Sequence, residues 1–486
     1  MSSYFSDLAQ QYIDGAWRPG TGSWDVIDFN PYDDEKLASI TVATVDEVDQ
    51  AYRAAARAQK QWAETNPYTR RAVFERALRL IEDREQEIAD LIIAELGGTR
   101  VKAGFELHLA KEFLRESIHL ALRPEGKILP SPADGKENRV YRVPVGVVGV
   151  ISPFNFPFLL SLKSVAPALA LGNGVVLKPH QNTPIAGGTL IAKIFEDAGL
   201  PGGLLNVVVT DIAEIGDAFL EHPVPKVISF TGSDAVGRHV ATVCAKHFKR
   251  SVLELGGNSA LVVLDDADID YAVDAAVFSR FVHQGQVCMA ANRVLVDASV
   301  ADEFTEKFVA KVRTLKTGDP RDPQTVIGPV INSQQAAALS GTVEQALAEG
   351  ATALVRGATE GNLVEPSVLT DIPAGSALLQ QEVFGPVVFL IRFDGEEEAV
   401  RIVNDTPYGL SGAVHTGDIE RGVAFAKRID TGMFHVNDGT VHDEPLVPFG
   451  GEKHSGIGRL NGETTLEAFT TIKWISVQHG RSGFPF

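Results

Sequence analysis

The sequence predicts an α/β protein built on parallel sheets. From Val145 onward, continuous apolar strands alternate with helical segments, which is typical of a parallel sheet covered on both faces. Residues 45–122 instead carry helical periodicity only. Two β-rich stretches, Arg139–Val143 and Thr470–Val477, stand apart from both patterns, and we expect them to pair with each other.

The amino-terminal third begins with short strands and turns over Tyr12–Ser39, marked by Asp14-Gly15, Pro19-Gly20 and Asn30-Pro31. Three helices follow, predicted over Val45–Glu64 with Thr44 as N-cap, over Tyr68–Leu96 with Gly97-Gly98 as the stop, and over Lys102–Leu122. Residues Gly126–Arg142 read as a linker or as a strand that leaves the domain.

The alternating segment that begins at Val145 predicts the central sheet. Its predicted strands are 146–152, 175–178, 204–209 and 226–230, and its predicted helices are 159–171, 184–198 and 235–248. A second α/β segment runs from about Ser259 to His435.

Composition excludes several classes of partner. The 486 residues carry 44 basic and 63 acidic side chains, a formal charge of −19, which argues against nucleic acid and anionic membranes. Apolar runs are too short to span a bilayer, and Met1-Ser-Ser-Tyr lacks the features of a secretory signal. With two cysteines in the chain, we expect no disulfide framework and a reducing, cytoplasmic setting.

Cys288 is the first candidate for chemistry. Gly285 and its polar neighbours interrupt the helical pattern of Ala272–Phe281, so we expect this thiol on a turn, where a substrate can approach it. Free cysteines are often simply buried, and this alternative stays open. Cys244 lies within a helical pattern and reads as packing. The histidines show no metal-ligand spacing with either cysteine, so we expect no catalytic metal.

Further candidates stand near strand ends. Glu254 lies in an apolar strand, where partial desolvation favours a general base, although a salt-bridged or hydrogen-bonded glutamate is an equal alternative. Asn155 is a candidate donor to an oxyanion, or bonds its own turn. Lys178 is placed to bind a ribose, although a solvated lysine is more common at a strand end. Gly232, Ser233 and Gly237 form a turn and helix start that suits a pyrophosphate, although an ordinary turn fits as well.

Taken together, these stretches resemble the aldehyde dehydrogenase superfamily over almost the whole chain. The motifs that carry the resemblance are Pro153-Phe-Asn-Phe-Pro157, Leu177-Lys-Pro179, Phe230-Thr-Gly-Ser233, Leu253-Glu-Leu-Gly-Gly257, Gly285-Gln-Val-Cys288, Glu382-Val-Phe-Gly-Pro386, Pro448-Phe-Gly-Gly451 and Ser455-Gly456. Their order and spacing together are highly specific, whereas each alone is not.

The resemblance implies NAD(P)⁺-dependent oxidation of an aldehyde to a carboxylic acid. It implies Cys288 as nucleophile, Asn155 as oxyanion donor and Glu254 as the base that activates water. It also implies that Lys178 and Glu382 bind the two riboses, that Phe384 packs near the nicotinamide, and that Ser233 contacts the pyrophosphate. In NAD-selective relatives an acidic residue commonly stands at the position of Gln181. Glutamine does not repel a 2′-phosphate, so NADP⁺ stays open beside NAD⁺.

The resemblance also implies three structural units. They are a Rossmann-like cofactor domain (1–125 and 145–256), a catalytic domain (257–456) and a small β segment for oligomerisation (126–144 and 457–486), in a homodimer or homotetramer. Gly135–Arg142, His435–Asp438 and His442–Pro445 look most like the benzaldehyde and vanillin dehydrogenase branch, which predicts an aromatic aldehyde.

Four apolar side chains are candidates for the walls of the substrate pocket, or for simple core: Phe154, Phe158, Met289 and Phe449. Two alternatives stay open for the function as a whole. One is an aliphatic semialdehyde dehydrogenase, and the other is a catalytically silent binding protein on the same fold.

Overall fold

The structure is a computed structural model that describes residues 2–486. Its helices are α1 (Ser2–Leu8), α2 (Val45–Glu64), α3 (Pro67–Asp83), α4 (Glu85–Leu96), α5 (Arg100–Leu120), α6 (Pro157–Ala170), α7 (Leu190–Asp197), α8 (Ile212–Ile215), α9 (Ala218–Glu221), α10 (Asp234–Lys246), α11 (Ile269–Phe281), α12 (Ala301–Val312), α13 (Ser333–Ala348), α14 (Glu396–Asn404), α15 (Ile419–Ala426) and α16 (Gly462–Phe469). Within residues 2–486, no helix has both the length and the apolar character needed to cross a bilayer.

The strands are short and distributed over the whole chain. They are β1 (Gln11–Ile13), β2 (Ala16–Arg18), β3 (Asp25–Phe29), β4 (Lys36–Thr41), β5 (Lys127–Leu129), β6 (Lys136–Pro144), β7 (Val147–Ile151), β8 (Gly174–Lys178), β9 (Leu205–Val207), β10 (Val227–Thr231), β11 (Arg250–Glu254), β12 (Ser259–Val263), β13 (Ala291–Asp297), β14 (Thr352–Val355), β15 (Thr359–Glu360), β16 (Leu363–Val364), β17 (Ser367–Thr370), β18 (Val387–Phe393), β19 (Tyr408–Gly409), β20 (Gly412–His415), β21 (His435–Val436), β22 (Glu452–Lys453), β23 (Gly456–Ile457) and β24 (Thr470–Gln478).

Two large sheets form the frame. The first has the order β2-β1-β9-β8-β7-β10-β11-β23, and its five strands from β9 to β11 are mutually parallel. The second has the order β14-β17-β18-β13-β12-β20-β21 and is parallel except for β14. The central strands β7 and β8 are buried along most of their length, as the continuous apolar sequence requires. The α/β class predicted from the sequence is confirmed.

A third sheet, β24-β6-β5, is antiparallel. Its long pairing runs from Thr470 opposite Pro144 to Gln478 opposite Lys136, and it confirms the predicted partnership of the two outlying β-rich stretches.

The prediction of one helix over Tyr68–Leu96 was wrong. Arg84 leaves helical backbone, with φ −112° and ψ 19°, and separates α3 from α4. Its N–H still bonds the carbonyl of Leu80, and the apolar residues Ile81 and Ile88 on either side are both buried. Neither glycine nor proline marks this break, so the hydrophobic pattern runs through it. The helix predicted over 184–198 also differs from the structure, in which Ile185–Thr189 form a π-helix and α7 begins at Leu190.

Candidate active site

Four neighbouring parallel strands of the first sheet end at one edge. The register sets Ile151 at the end of β7 beside Lys178 at the end of β8, and Thr231 at the end of β10 beside Glu254 at the end of β11. Asn155 follows β7 by four residues. The sheet therefore gathers the predicted polar residues at its carboxyl edge, where open α/β sheets bind their ligands.

Cys288 lies on a turn, as predicted from the loss of helical pattern. After α11, the backbone of His283, Gln284 and Gly285 is left-handed, with φ of 51°, 53° and 73°. Such a conformation is uncommon for residues with side chains and persists only when the surroundings hold it. Here the Gln284 amide donates to the carbonyls of Gly97 and Pro329, at 3.1 and 2.8 Å.

Arg280 holds this turn in place through its side chain, and the sequence analysis did not single it out. Its guanidinium is fully buried and donates to the carbonyl of Gly285 at 2.9 Å. It also donates to the carbonyls of Val383, at 3.0 Å, and of Gly385. A single side chain thus ties the cysteine turn to the loop that carries Glu382. The signal available was an arginine inside the apolar pattern of a helix.

The cysteine turn and the sheet edge enclose one cavity. It contains Asn155, Glu254 and Cys288 together, and the rest of its wall is mainly apolar. The wall consists of Phe105, Leu109, Phe156, Leu159, Leu160, Lys163, Thr231, Leu255, Val287, Met289, Val441, Asp443, Phe449 and Leu460.

Asn155 joins the two sides of this cavity. Its side-chain Nδ2 donates to the carbonyl of Gln286 at 3.0 Å, so the amide is fixed beside the cysteine turn. Nδ2 carries two hydrogens, and the second is free of that bond. This bond joins Asn155 to a different segment of the chain. The alternative that its side chain bonds its own turn is therefore wrong.

Glu254 is a buried carboxyl group without a partner. Both of its oxygens are shielded from solvent and accept no hydrogen bond among residues 2–486. Burial raises the pKa of Glu254 to about 8. The salt-bridged alternative is therefore wrong for this glutamate, and the group has the free oxygens and the pKa that a general base requires.

Cys288 is half-buried on its turn. Burial, together with the nearby carboxyls of Glu382 and Glu254, raises the pKa of the thiol to about 12. The other cysteine, Cys244, is 1% exposed within α10, which agrees with its predicted packing role.

The neighbouring strand ends offer a cradle for a nucleotide. Lys178 is half-buried and forms no ion pair within the described chain, and burial lowers its pKa. Ser233 caps α10 by accepting from the Val236 N–H at 3.4 Å. A Cβ on Gly237 would lie 2.4 Å from the Leu255 side chain, so glycine lets α10 pack closely against the residue that follows β11. Gly232 lies in the turn between β10 and α10, and Gln181 is exposed beyond Lys178.

Glu382 lies on the far side of the cysteine turn. Its carboxylate accepts from the Gly257 N–H at 3.0 Å, and burial raises its pKa to about 7. Phe384 packs edge-on against Phe154, with ring centroids 5.8 Å apart. This pair lies outside the cavity wall, so the structure places Phe154 beside Phe384 instead of in the substrate pocket.

Two of the four predicted pocket residues line the cavity, Met289 and Phe449. The prediction was wrong for Phe158. It is fully buried among Ile81, Leu114 and Phe195, because the first turn of α6 points this side chain to the helical layer and away from the sheet edge.

Lys163 and Asp443 are the second feature that sequence reasoning missed. They form an ion pair of 2.7 Å in the cavity wall, with side chains only 3% and 7% exposed. The signal was a single lysine inside the apolar helix α6. Within residues 2–486, no three His, Cys, Asp or Glu side chains are placed to hold a metal ion.

A thiol, an unpaired carboxyl group and an amide beside the strand ends where open α/β sheets bind nucleotides are typical of one class of nucleotide-dependent oxidoreductase. Comparison with known proteins shows to which family within this class the chain belongs. The model of the aldehyde dehydrogenase family matches residues 17–475. The chain belongs to the aldehyde dehydrogenase family, and the resemblance predicted from its motifs is confirmed.

The relatives are similar over their full length. A benzaldehyde dehydrogenase of Bacillus subtilis is 61% identical over 482 residues, 99% of each chain. A vanillin dehydrogenase of Corynebacterium glutamicum is 48% identical over 97% of this chain and 98% of its own. The crystal structure of an NAD-dependent benzaldehyde dehydrogenase from Corynebacterium glutamicum superposes with a TM-score of 0.89 at 46% identity, over 97% of this chain and 98% of that one.

Proposed function

We propose that the protein oxidises an aromatic aldehyde of the benzaldehyde or vanillin type to its carboxylic acid, with NAD⁺ as the cofactor. The observation that carries the proposal is the meeting of Cys288, Asn155 and Glu254 in one largely apolar cavity. The full-length similarity to benzaldehyde and vanillin dehydrogenases supports the aromatic substrate class.

The strand-end residues fit a dinucleotide. An unpaired, half-buried lysine, a helix start opened by glycines and a carboxylate beyond the cysteine turn match ribose and pyrophosphate groups. Lys178 and Glu382 would hold the riboses, and Gly232, Ser233 and Gly237 the pyrophosphate. When bound, NAD⁺ supplies a hydride acceptor and a positive charge that favours the thiolate.

The residues of the chain divide the chemistry between them. The Cys288 thiol loses its proton to solvent, the thiolate sulfur bonds to the aldehyde carbon, and the carbonyl oxygen becomes an oxyanion that the Asn155 amide and the Cys288 N–H stabilise. Loss of the aldehyde hydrogen as hydride leaves a thioester. Glu254 then takes a proton from water, the resulting hydroxide adds to the thioester, and the carbon–sulfur bond breaks to release the acid.

The semialdehyde alternative needs a free cation in the cavity to hold the second carboxylate. The cavity does contain a cation, but Asp443 already neutralises Lys163. The unpaired Glu254 argues against a silent binding protein, because a buried carboxyl group without a partner is costly unless it has a role.

A substrate comparison tests the proposal. We expect purified protein to reduce NAD⁺ with benzaldehyde and vanillin, at a kcat/KM at least tenfold above that for succinic semialdehyde. Preference for succinic semialdehyde, or no NADH with any aldehyde, would contradict it. Running the same panel with NADP⁺ tests whether Gln181 admits the 2′-phosphate.

The third sheet supports a homo-oligomer. Ile128, Ile472 and Trp474 expose 74%, 64% and 65% of their surface on its strands, and open strand edges favour pairing with another subunit. We expect a dimer or tetramer by light scattering, and Trp474→Glu should shift it toward smaller species. A cytoplasmic location is proposed from the composition and is testable by fractionation.

Sheet membership supports the proposed division into domains. The strands of residues 145–256 belong to the first sheet, those of the third sheet come from 126–144 and the carboxyl terminus, and those of the second sheet all fall within 257–456. Among residues 2–486, only β23 crosses from the end of the proposed catalytic domain into the first sheet.

A further inference from the structure

The ion pair of Lys163 and Asp443 has no part in the chemistry assigned to the cavity, yet both residues line it. Each side chain is almost wholly buried. Burying two charges costs several kcal/mol per ion, and an apolar pair of similar size often stabilises a protein equally well. The remaining wall is mainly aromatic and aliphatic, so this pair is the charged feature of the cavity that lies outside the catalytic set.

The ammonium group of Lys163 has donors to spare. It carries three hydrogens. One is directed to Asp443, and the ring of Phe449, with its centroid 3.7 Å from Nζ, faces another. The ring of Phe113 lies on a further side, with its centroid 5.0 Å from Nζ. Across residues 2–486, Asp443 is the one hydrogen-bond partner of Lys163, so a hydroxyl oxygen of a ligand would take an N–H group that now faces only a ring.

The carboxylate of Asp443 is held in place from its other side. Its Oδ1 accepts from the Asn461 amide at 2.8 Å, while Oδ2 accepts from Lys163. Two carboxylate oxygens offer about four acceptor positions, so acceptor capacity remains after these two bonds. A fixed donor and a fixed acceptor side by side are complementary to a hydroxyl group, which donates and accepts at once.

The position of the pair along α6 indicates which part of a substrate it meets. Asn155, which would hold the carbonyl oxygen, precedes the helix, whereas Lys163 lies six residues beyond Pro157, about 9 Å along the axis. The backbone of Lys163 is thus set back from the oxyanion donor, whereas its charge and that of Asp443 still act on the pKa of Cys288 and of Glu254. The pair is therefore close enough to meet the ring of an aldehyde bound to Cys288.

We propose that Lys163 and Asp443 recognise a hydroxyl group at position 3 or 4 of the aromatic ring of the aldehyde. The inference rests on the proposed function and adds to it the ring substituent that the enzyme selects. When the aldehyde lacks the hydroxyl, Lys163 and Asp443 have no ligand group to bond. The kcat/KM for that aldehyde is therefore lower.

The experiment compares 4-hydroxybenzaldehyde with 4-methylbenzaldehyde, which has a group of similar size but no hydrogen bond. We expect the wild-type enzyme to favour the hydroxyl by about 10- to 100-fold in kcat/KM, the range for a hydrogen bond to a charged group. The 3-hydroxy and 3-methyl aldehydes form the second matched pair, and the 2-substituted aldehydes should show no such preference.

The double variant Lys163→Met with Asp443→Asn removes both charges together, so no unpaired ion is left buried. Its hydroxyl-to-methyl ratio should fall at least tenfold from the wild-type ratio. Ring electronics are the same for both enzymes, so the change in the ratio reports the pocket alone. Lys111→Met is the control, because Lys111 pairs with Glu85 at 2.9 Å away from the cavity, and its ratio should equal that of the wild type.

A wild-type enzyme that does not distinguish hydroxyl from methyl, or that favours only the 2-hydroxy aldehyde, would overturn the inference even if the double variant fails to fold. A double variant that keeps the wild-type ratio would also overturn it. Absence of turnover with every aldehyde would instead contradict the proposed function, and the two failures are therefore distinguishable.

Discussion

The two parallel sheets end in edges of opposite character. At the second sheet, the polar groups that follow β12, β20 and β21 are paired with one another. Thr416 donates to Asp266 at 2.8 Å, Asn437 donates to the carbonyl of Thr416 at 2.9 Å, and His415 lies 3.2 Å from the carbonyl of Asp438. At the first sheet, Glu254 and Lys178 have no such partners in the described chain.

This difference separates polar groups that stabilise the fold from those available for chemistry. Both edges surround a cavity, so a cavity alone does not distinguish them. Pairing does, because a satisfied group gains little from a ligand, whereas an unsatisfied buried group gains the bond that it lacks.

The largest expected effect comes from the two cysteines. Cys288→Ala should abolish aldehyde-dependent NADH formation, because it removes the proposed nucleophile. Cys244→Ala should keep kcat within about twofold, since its thiol packs inside α10 and faces no cavity of the site. Absorbance at the NADH band measures both. Normal turnover by the Cys288 variant would end the assignment.

Glu254→Gln should lower kcat by about 10²–10⁴, the usual contribution of a general base. The carboxylate is the working form, and its pKa is about 8, so wild-type kcat should rise as pH climbs through that value. The variant should show no such rise.

Asp266→Asn is the matched change at the second sheet. Burial alone would raise the pKa of Asp266, but the hydrogen bond from Thr416 and the charge of Arg421 hold it below its ordinary value. We expect kcat and its pH profile to match the wild type. A pH profile that changed with Asp266 and not with Glu254 would reverse the comparison.

Asn155→Ala should lower kcat by about 10²–10³, the size found for one oxyanion donor. Because the amide also bonds the carbonyl of Gln286, the change removes one contact to the cysteine turn. Stopped-flow measurement of the first turnover checks that the loss lies in thioester formation, and an unchanged first turnover would remove the role.

Arg280→Met should lower the free energy of unfolding by about 2–5 kcal/mol, since several buried carbonyls lose their donor at once. Arg280 is a buried ionisable group like Glu254, but Arg280 has hydrogen-bond partners, and these bonds hold the turn. Denaturant unfolding measures the change. A loss of stability below about 0.5 kcal/mol would show that the turn does not depend on this side chain.

Sequence patterns predicted what is encoded locally. The turn at Cys288 follows from Gly285, the strand ends follow from apolar runs, and the motif order identifies the family.

The break at Arg84 was missed because nothing in its residue type disfavours a helix. Lys163 and Asp443 are 280 residues apart, and only the folded chain shows that they meet in one cavity. Phe158 was misplaced because its hydrophobicity fits a pocket and a core equally well.

One measurement tests the central claim most directly. Glu254→Gln protein, mixed with benzaldehyde and NAD⁺ and then digested, should yield the peptide containing Cys288 with the added mass of one benzoyl group, because the thioester forms but water is not activated. An unmodified Cys288 peptide after NADH has formed in an amount equal to the enzyme, or a benzoyl group on Cys244, would contradict the account.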